Sequence, residues 1–248
     1  MIEIQNIRKR FGDRQVLDGV SGRFENSNNS LIIGSSGTGK SVLLKCIVGL
    51  VKPDEGDVLF DGRSLYKSSL REVKAIRREM GMLFQGGALF DSLTVAENVR
   101  FPLDMLTEGM AASEKADRVH QCLIKVGLEQ AADKKPAEIS GGMRKRVGIA
   151  RAIVMNPKYL FCDEPNSGLD PMTSIKIDEL ISEITDEYNM TTIVVTHDMN
   201  SVMGIGEYVM FLYQGKVEWE GDNSTILKTE NQAVKEFVFA SKIMEGLL

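Results

Sequence analysis

Gly34-Ser35-Ser36-Gly37-Thr38-Gly39-Lys40-Ser41 is the stretch that decides how this chain is read. It fits G-x-x-x-x-G-K-[ST], a loop whose backbone amides cradle phosphates. Leu31-Ile32-Ile33 ahead of it reads as a short buried strand, and Val42 to Gly49 behind it as a helix. The loop thus lies between strand and helix, as a phosphate cradle must. Glycines let the backbone wrap closely, and the helix N-terminus adds inward-pointing N–H groups. Lys40 can reach the β- and γ-phosphates of a nucleotide, and the Ser41 hydroxyl can hold Mg²⁺.

Outward from the loop, short apolar stretches alternate with helical ones. Ile2 and Ile4 suggest an edge strand, and Val16 to Phe24 further strand with a turn at Asp18-Gly19. Strands are expected at Asp57–Phe60, Gly81–Phe84, Tyr159–Cys162 and Thr192–Val195, with a final hairpin at Val209–Leu212 and Lys216–Trp219. Helices are expected at Leu70–Arg78, between Val95 and Val126 with a start at Ser113, at Met143–Met155 and at Ser174–Glu187. The alternation implies an α/β fold with a largely parallel core sheet. The early alternating strands suggest an antiparallel side layer.

The chain has 248 residues, 43% hydrophobic and 26% charged, the balance of an ordinary globular protein. Its net charge of −5 gives no sign of a nucleic-acid-binding surface. The local run Arg144-Lys145-Arg146 reads as a solvated helix face or a partner contact. The three cysteines, Cys46, Cys122 and Cys162, lie far apart and suit a reducing cytoplasm better than a disulfide framework or zinc site. No apolar run approaches the ~18 residues that span a bilayer, so any membrane role requires another subunit.

Two more segments carry chemistry. Tyr159-Leu-Phe-Cys-Asp163-Glu164 is an apolar strand ending in two acids, at the end where α/β folds place ligands. Asp163 there would bind the Mg²⁺ held by Ser41, and Glu164 could polarise a water towards the γ-phosphate. Ile139-Ser140-Gly141-Gly142-Met143 precedes a helix, with Ser140 as its cap. That makes a second anion-binding helix N-terminus. One nucleotide does not need two such cradles, so this one is expected to serve a nucleotide bound to another copy of the chain.

Taken together, the motifs resemble the ATPase subunits of ABC transporters over nearly the whole chain. Gly34–Ser41 matches the Walker A loop, and Phe161-Cys162-Asp163-Glu164 matches Walker B with the catalytic glutamate. Ser140-Gly141-Gly142-Met143 matches the signature loop, with Met143 where Gln is usual. Ser167-Gly168-Leu169-Asp170 matches the D-loop that crosses the dimer. Gln85 matches the glutamine linking Mg²⁺ to the membrane partner, His197 the switch histidine that senses the γ-phosphate, and Phe11 an aromatic that stacks on adenine. The resemblance implies catalysis by Glu164, His197 and Lys40. It places ATP on Phe11, Gly34, Ser35, Ser36, Gly37, Thr38, Gly39, Lys40, Ser41, Val42 and Gln85, with Ser140, Gly141 and Gly142 closing from a second copy. Mg²⁺ would rest on Ser41, Gln85 and Asp163.

The implied architecture is a single ABC-type P-loop NTPase domain over residues 1–248. It has a RecA-like parallel-sheet core, an antiparallel β layer and a helical subdomain from roughly Gly86 to Pro157. The implied partners are a second copy and transmembrane permease subunits, which would hold the chain at the cytoplasmic face of an inner membrane. Gly81–Val95 and Ser140–Val147 are similar to Mla-type ATPases, which energise phospholipid movement together with MCE-domain lipid-binding proteins across a bacterial envelope. Asn166 stands where Thr is usual, and Ser35 where many relatives have Pro. Transport of another solute and a non-transport switch of the cell-division type share every catalytic motif and stay open. Two further divisions stay open. The apolar residues from Ala88 to Leu106 serve either core or partner, and Ala233–Leu248 packs on its own chain or on a second copy.

Overall fold

The structure, a computed structural model, describes residues 1–240. In chain order the strands and α-helices are β1 (Ile2–Phe11), β2 (Arg14–Phe24), β3 (Asn29–Ile33), α1 (Lys40–Ile47), β4 (Glu55–Phe60), β5 (Arg63–Ser64), α2 (Leu70–Arg78), β6 (Met80–Leu83), α3 (Val95–Leu106), α4 (Ala112–Lys125), α5 (Gly141–Ile153), β7 (Tyr159–Asp163), α6 (Pro171–Tyr188), β8 (Thr191–Val195), α7 (Met199–Ile205), β9 (Tyr208–Tyr213), β10 (Lys216–Gly221) and α8 (Gln232–Ala240). Six strands form one sheet in the order β10-β9-β3-β8-β7-β6. All its pairings are parallel except β10 on β9. A separate antiparallel sheet runs β2-β1-β4-β5.

The two-residue period of the strands sorts the core into two layers. On β3, Ile32 faces the antiparallel sheet and α1, in one cluster with Ile2, Ile4, Phe24, Leu43 and Phe161. Leu31 and Ile33 face the other way, into a cluster with residues of α5, α6, α7 and α8. On β7, Tyr159 and Phe161 join the first cluster while Leu160 and Cys162 join the second. The three cysteines are buried, and desolvation pushes each thiol up, to about 11 for Cys46 and Cys122. They behave as small apolar fillers.

Local chemistry sets most element ends. Ser69 with Glu72, and Thr94 with Glu97, form reciprocal capping boxes on α2 and α3. Three sequence expectations need correction. β1 is an inner strand, paired with both β2 and β4, so the alternation of Ile2 and Ile4 does not mark an edge. Asp18-Gly19 is no turn: β2 runs unbroken, and the pairing register shifts there by a bulge that reads from sequence like a hairpin tip. Helix α4 starts one residue before Ser113, with Ala111 rather than Ser113 at its cap position. Helices α3, α4 and α5 pack on one another between β6 and β7 in the chain. In the last segment, Val234, Phe237 and Val238 are buried against the chain's own core, while Ile243 and Leu247 lie outside the described residues.

Candidate active site

The loop after β3 is shaped by close neighbours. Gly39 has φ +106°, and a Cβ there would come within 2.9 Å of Leu17 Cδ2 and 3.0 Å of the Val16 carbonyl oxygen. Helix α1 starts directly after it, with no side chain capping its amides and no acid in its first turn. That leaves a helix N-terminus suited to an anion. Thr38 Oγ1 donates to the Ser35 carbonyl at 2.9 Å, holding the loop's curvature. Lys40 is buried, and its Nζ donates to the carbonyls of Gly34 (2.7 Å) and Ser35 (3.1 Å). Desolvation lowers its pKa, and the nearby charges of Glu164 and Asp163 oppose that fall.

The acids come from the neighbouring strand end. Ser41 Oγ donates to Asp163 Oδ1 at 2.9 Å. Glu164 follows at φ +50°, a strained backbone for a non-glycine residue. Its N–H donates to the Val195 carbonyl at 2.9 Å. His197 Nδ1 lies 2.9 Å from Glu164 Oε1 and 2.8 Å from Oε2. A cleft of about 540 Å³ is lined by Ser36, Gly37, Gly39, Lys40, Ser41, Val42, Gln85, Glu164 and His197, joined by Arg14 and Val16. Gly34, Ser35 and Thr38 shape the loop without lining the cleft.

Phe11 is not among the lining residues. It is 51% exposed at the end of β1, with Lys9 Nζ 5.4 Å from its ring centroid. Val16, which sequence reads as an ordinary strand residue, and Arg14 stand at the cleft. Ser140 caps α5 as expected, accepting from the Met143 N–H at 3.2 Å. It lies in a second cleft, with Gly141, Gly142, Gly168, Leu169, Asp170 and Thr173.

The basic run after Ser140 is a solvated face only in part: Arg144 is exposed and Arg146 half-buried, while Lys145 is turned inward. Arg144 donates to the Pro136 and Ile139 carbonyls, and Arg146 to those of Val126 and Gly127. Lys145 is only 6% exposed. A second buried polar group escaped the sequence reading. Asn166 Nδ2 donates to Asp178 Oδ1 at 2.8 Å and to Ser201 Oγ at 3.1 Å, and Ser201 donates to Asp178 Oδ2 at 2.8 Å. The unusual Asn166 was the one visible trace of that network.

A phosphate-cradling loop between strand and helix, a buried lysine over it, and paired acids at the next strand end define a nucleoside-triphosphatase of the P-loop class. The sequence profile of the ABC transporter family matches residues 17–167. The chain belongs to that family, as its ATP-binding and ATP-hydrolysing subunit. Among its relatives, a probable ribonucleotide transport ATP-binding protein (mkl) of Mycobacterium leprae is 37% identical over 98% of this chain and 70% of its own length. The intermembrane phospholipid transport system ATP-binding protein MlaF of Haemophilus influenzae is 37% identical over 96% of this chain and 90% of its own. The methionine import ATP-binding protein MetN of Protochlamydia amoebophila is 41% identical over 84% of this chain and 60% of its own. The dimeric ATP-binding cassette MJ0796 in a post-hydrolysis state, bound to ADP and Pi, superposes with a TM-score of 0.81 at 36% identity, covering 90% of this chain and 99% of that one.

Proposed function

We propose that two copies of this chain bind and hydrolyse ATP between them and thereby energise a permease that moves phospholipid across a bacterial envelope. The observation that carries the two-copy reading is that the chain holds two half-sites in separate clefts. Lys40, Glu164 and His197 line one, and Ser140, Gly141 and Gly142 the other. Head-to-tail pairing would bring each cleft onto the other copy's complement. The dimeric form of the MJ0796 cassette supports this arrangement.

Within the composite site, the loop amides and Lys40 would bind and orient the phosphates. Glu164 would align the attacking water, and His197, held against Glu164, would contact the γ-phosphate. Ser41 and Asp163 would hold Mg²⁺ with Gln85. Their convergence fits that ion, which uses one or two carboxylates, substrate phosphates and waters rather than an all-protein cage. When bound, Mg²⁺ neutralises charge on the β- and γ-phosphates.

The permease would dock beside Gln85. Leu103 is buried, whereas Phe90, Phe101, Met105 and Leu106 are exposed, which divides the apolar run between core and surface. Phe90, Phe101 and Leu106 line a groove with Phe84, Arg77, Arg78 and Arg151. The Phe90 and Phe101 ring centroids are 4.6 Å apart. Buried Asn98 clamps the loop, accepting from the Phe90 N–H at 2.8 Å and donating to the carbonyls of Phe90, Leu93 and Thr94. Among the described residues no helix is long and apolar enough to cross a membrane. A permease is therefore the route by which the chain would act there, with an MCE-domain protein as the lipid carrier. Phospholipid is favoured over other cargo because the correspondence with MlaF runs through 90% of that relative, against 70% and 60% for the mkl and MetN proteins.

The test is reconstitution of this chain with its co-purifying permease in liposomes carrying labelled phospholipid. ATP-dependent extraction or delivery, abolished by Glu164→Gln with ATP binding retained, is the expected outcome. Transport of a soluble solute with phospholipid untouched would overturn the lipid reading alone.

A further inference from the structure

Lys145 sits in the second turn of α5, beyond the residues to which the resemblance assigns a role. Its Nζ donates to the carbonyl of Gln85, to the carbonyl of Glu164 at 3.2 Å and to Ser167 Oγ at 3.2 Å. An ammonium has three N–H donors and no acceptor. Its three partners come from two chain segments that meet at the site: the end of β6, which supplies Gln85, and the loop from β7 to α6, which supplies Glu164 and Ser167. Burial lowers the lysine's pKa, against which the charges of Glu164 and Asp163 act.

The contact with Glu164 has a particular consequence. Glu164 is held in the left-handed region at φ +50°. Such a conformation persists only where its surroundings fix it. Its N–H is fixed by the Val195 carbonyl at 2.9 Å. Its own carbonyl accepts from the Ser167 N–H at 3.2 Å and from Lys145 Nζ at 3.2 Å, the one side-chain donor among these backbone anchors. These bonds set the backbone from which the Glu164 carboxylate departs towards His197.

We propose that Lys145 is a positioning residue for ATP hydrolysis, holding the backbone of Glu164 at its working angle and tying it to the Gln85 segment and to Ser167. The proposal rests on the reading of Glu164 as the residue that aligns the water. It makes Lys145 the link by which movement at Gln85, beside the apolar groove, would reach the acid.

The test compares wild-type chain, Lys145→Met and Lys145→Gln by steady-state ATPase kinetics and thermal melting. Methionine keeps the length and apolar stem but donates nothing. We expect kcat to fall about tenfold or more while KM for ATP stays within about threefold. Glutamine can donate two of the three bonds and should recover a substantial part of the rate. Hydrogen exchange around residues 85–88 and 164–169 should rise in folded Lys145→Met and return toward wild type in Lys145→Gln. A merely structural lysine would lower the melting temperature while leaving kcat of the folded protein unchanged.

An unchanged kcat in folded Lys145→Met, or a glutamine variant no better than the methionine one, would overturn the proposal. Should Lys145→Met fail to fold, Ser167→Ala keeps the lysine but removes one of its three acceptors, leaving one Lys145 N–H without its partner. Its kcat should drop several-fold at constant KM, and an unaltered kcat counts against the proposal. Glu164→Gln separates the two readings. If it still hydrolyses ATP, the assignment of the acid fails. If it is inactive and Lys145→Met is fully active, only the role of Lys145 fails.

Discussion

Asp178 should make this protein less stable as pH rises through the mildly acidic range. The residue sits on α6 at 4% exposure, accepting from Asn166 and Ser201. Burial is the largest influence on its carboxyl and pushes it from 3.8 to about 6, against those two hydrogen bonds, with Asp198 adding to the rise. The folded state therefore holds this proton more tightly than the unfolded chain. Between about pH 4 and 6 the folded state binds more protons, so stability falls as pH rises. The full penalty at neutral pH is about 3 kcal/mol, from a shift of roughly two units at about 1.4 kcal/mol each. Asp178→Asn removes the ionisation while keeping an oxygen for the Asn166 amide. The side-chain oxygen of Asn166, buried without a partner, leaves room for the network to re-pair. Stability of Asp178→Asn relative to wild type should therefore improve by about 2 kcal/mol between about pH 4.5 and pH 8, the part of the window those two conditions span. For a domain of this size that is ~4–8 °C in melting midpoint. Urea denaturation of both proteins at both pH values measures it. If the two stability curves run parallel across that range, the buried carboxyl is not ionising as argued.

Three other outcomes follow from the geometry. Mixing Lys40→Ala with Ser140→Arg chains should give ATPase activity above either alone, since mixed dimers hold one intact composite site; no recovery despite demonstrated mixed dimers would contradict the two-copy arrangement. Gly39→Ala should weaken nucleotide binding at least tenfold and cost on the order of 1–3 kcal/mol of stability, because φ is +106° and the new methyl meets Leu17 and the Val16 carbonyl; calorimetric binding at wild-type affinity would refute this. Phe90→Asp, on an exposed ring beside the groove, should abolish co-purification with the permease while ATP binding persists, and retained co-purification would move the docking surface elsewhere.

How legible each feature was depended on how local its cause is. Gly34–Ser41, Asp163-Glu164 and the Ser140 cap are set by residues a few positions apart, and the chain shows their spacing directly. The α2 bounds follow from Ser69 and Glu72 in the same way. Lys145 was misread because a basic triplet on a helix looks solvated, whereas its acceptors at positions 85, 164 and 167 are brought to it only by the parallel sheet. Gly19 was misread because a bulge and a hairpin both favour glycine, and only the partner strand distinguishes them. Phe11, exposed at the end of β1, does not line the cleft of the single chain. The loop after β1 decides which side chain reaches the cleft, and it brings Arg14 and Val16 there.

The segment from Glu164 to Asp170 links the two clefts of one chain. Glu164 lines the first cleft, and Gly168, Leu169 and Asp170 line the second. Polar pins hold this segment on both sides: Lys145 on Glu164 and Ser167, and the Asp178–Ser201 pair on Asn166. Apolar contacts tolerate sliding because they depend mainly on area removed from water. Hydrogen bonds do not, since they weaken steeply with misalignment. A displacement of about 1 Å would therefore break several bonds together rather than stretch them gradually. Such a segment has discrete arrangements, which is the physical requirement for carrying a state from one site to another. In the proposed two-copy assembly, the cleft receiving Ser140 from one chain would then be coupled to the acid of that same chain through seven residues held by three buried side chains. On that account Asn166→Ala and Lys145→Met should both lower the cooperativity of ATP hydrolysis with respect to ATP concentration. A Hill coefficient equal to that of the wild type in both variants would leave the segment as a scaffold and place the coupling elsewhere.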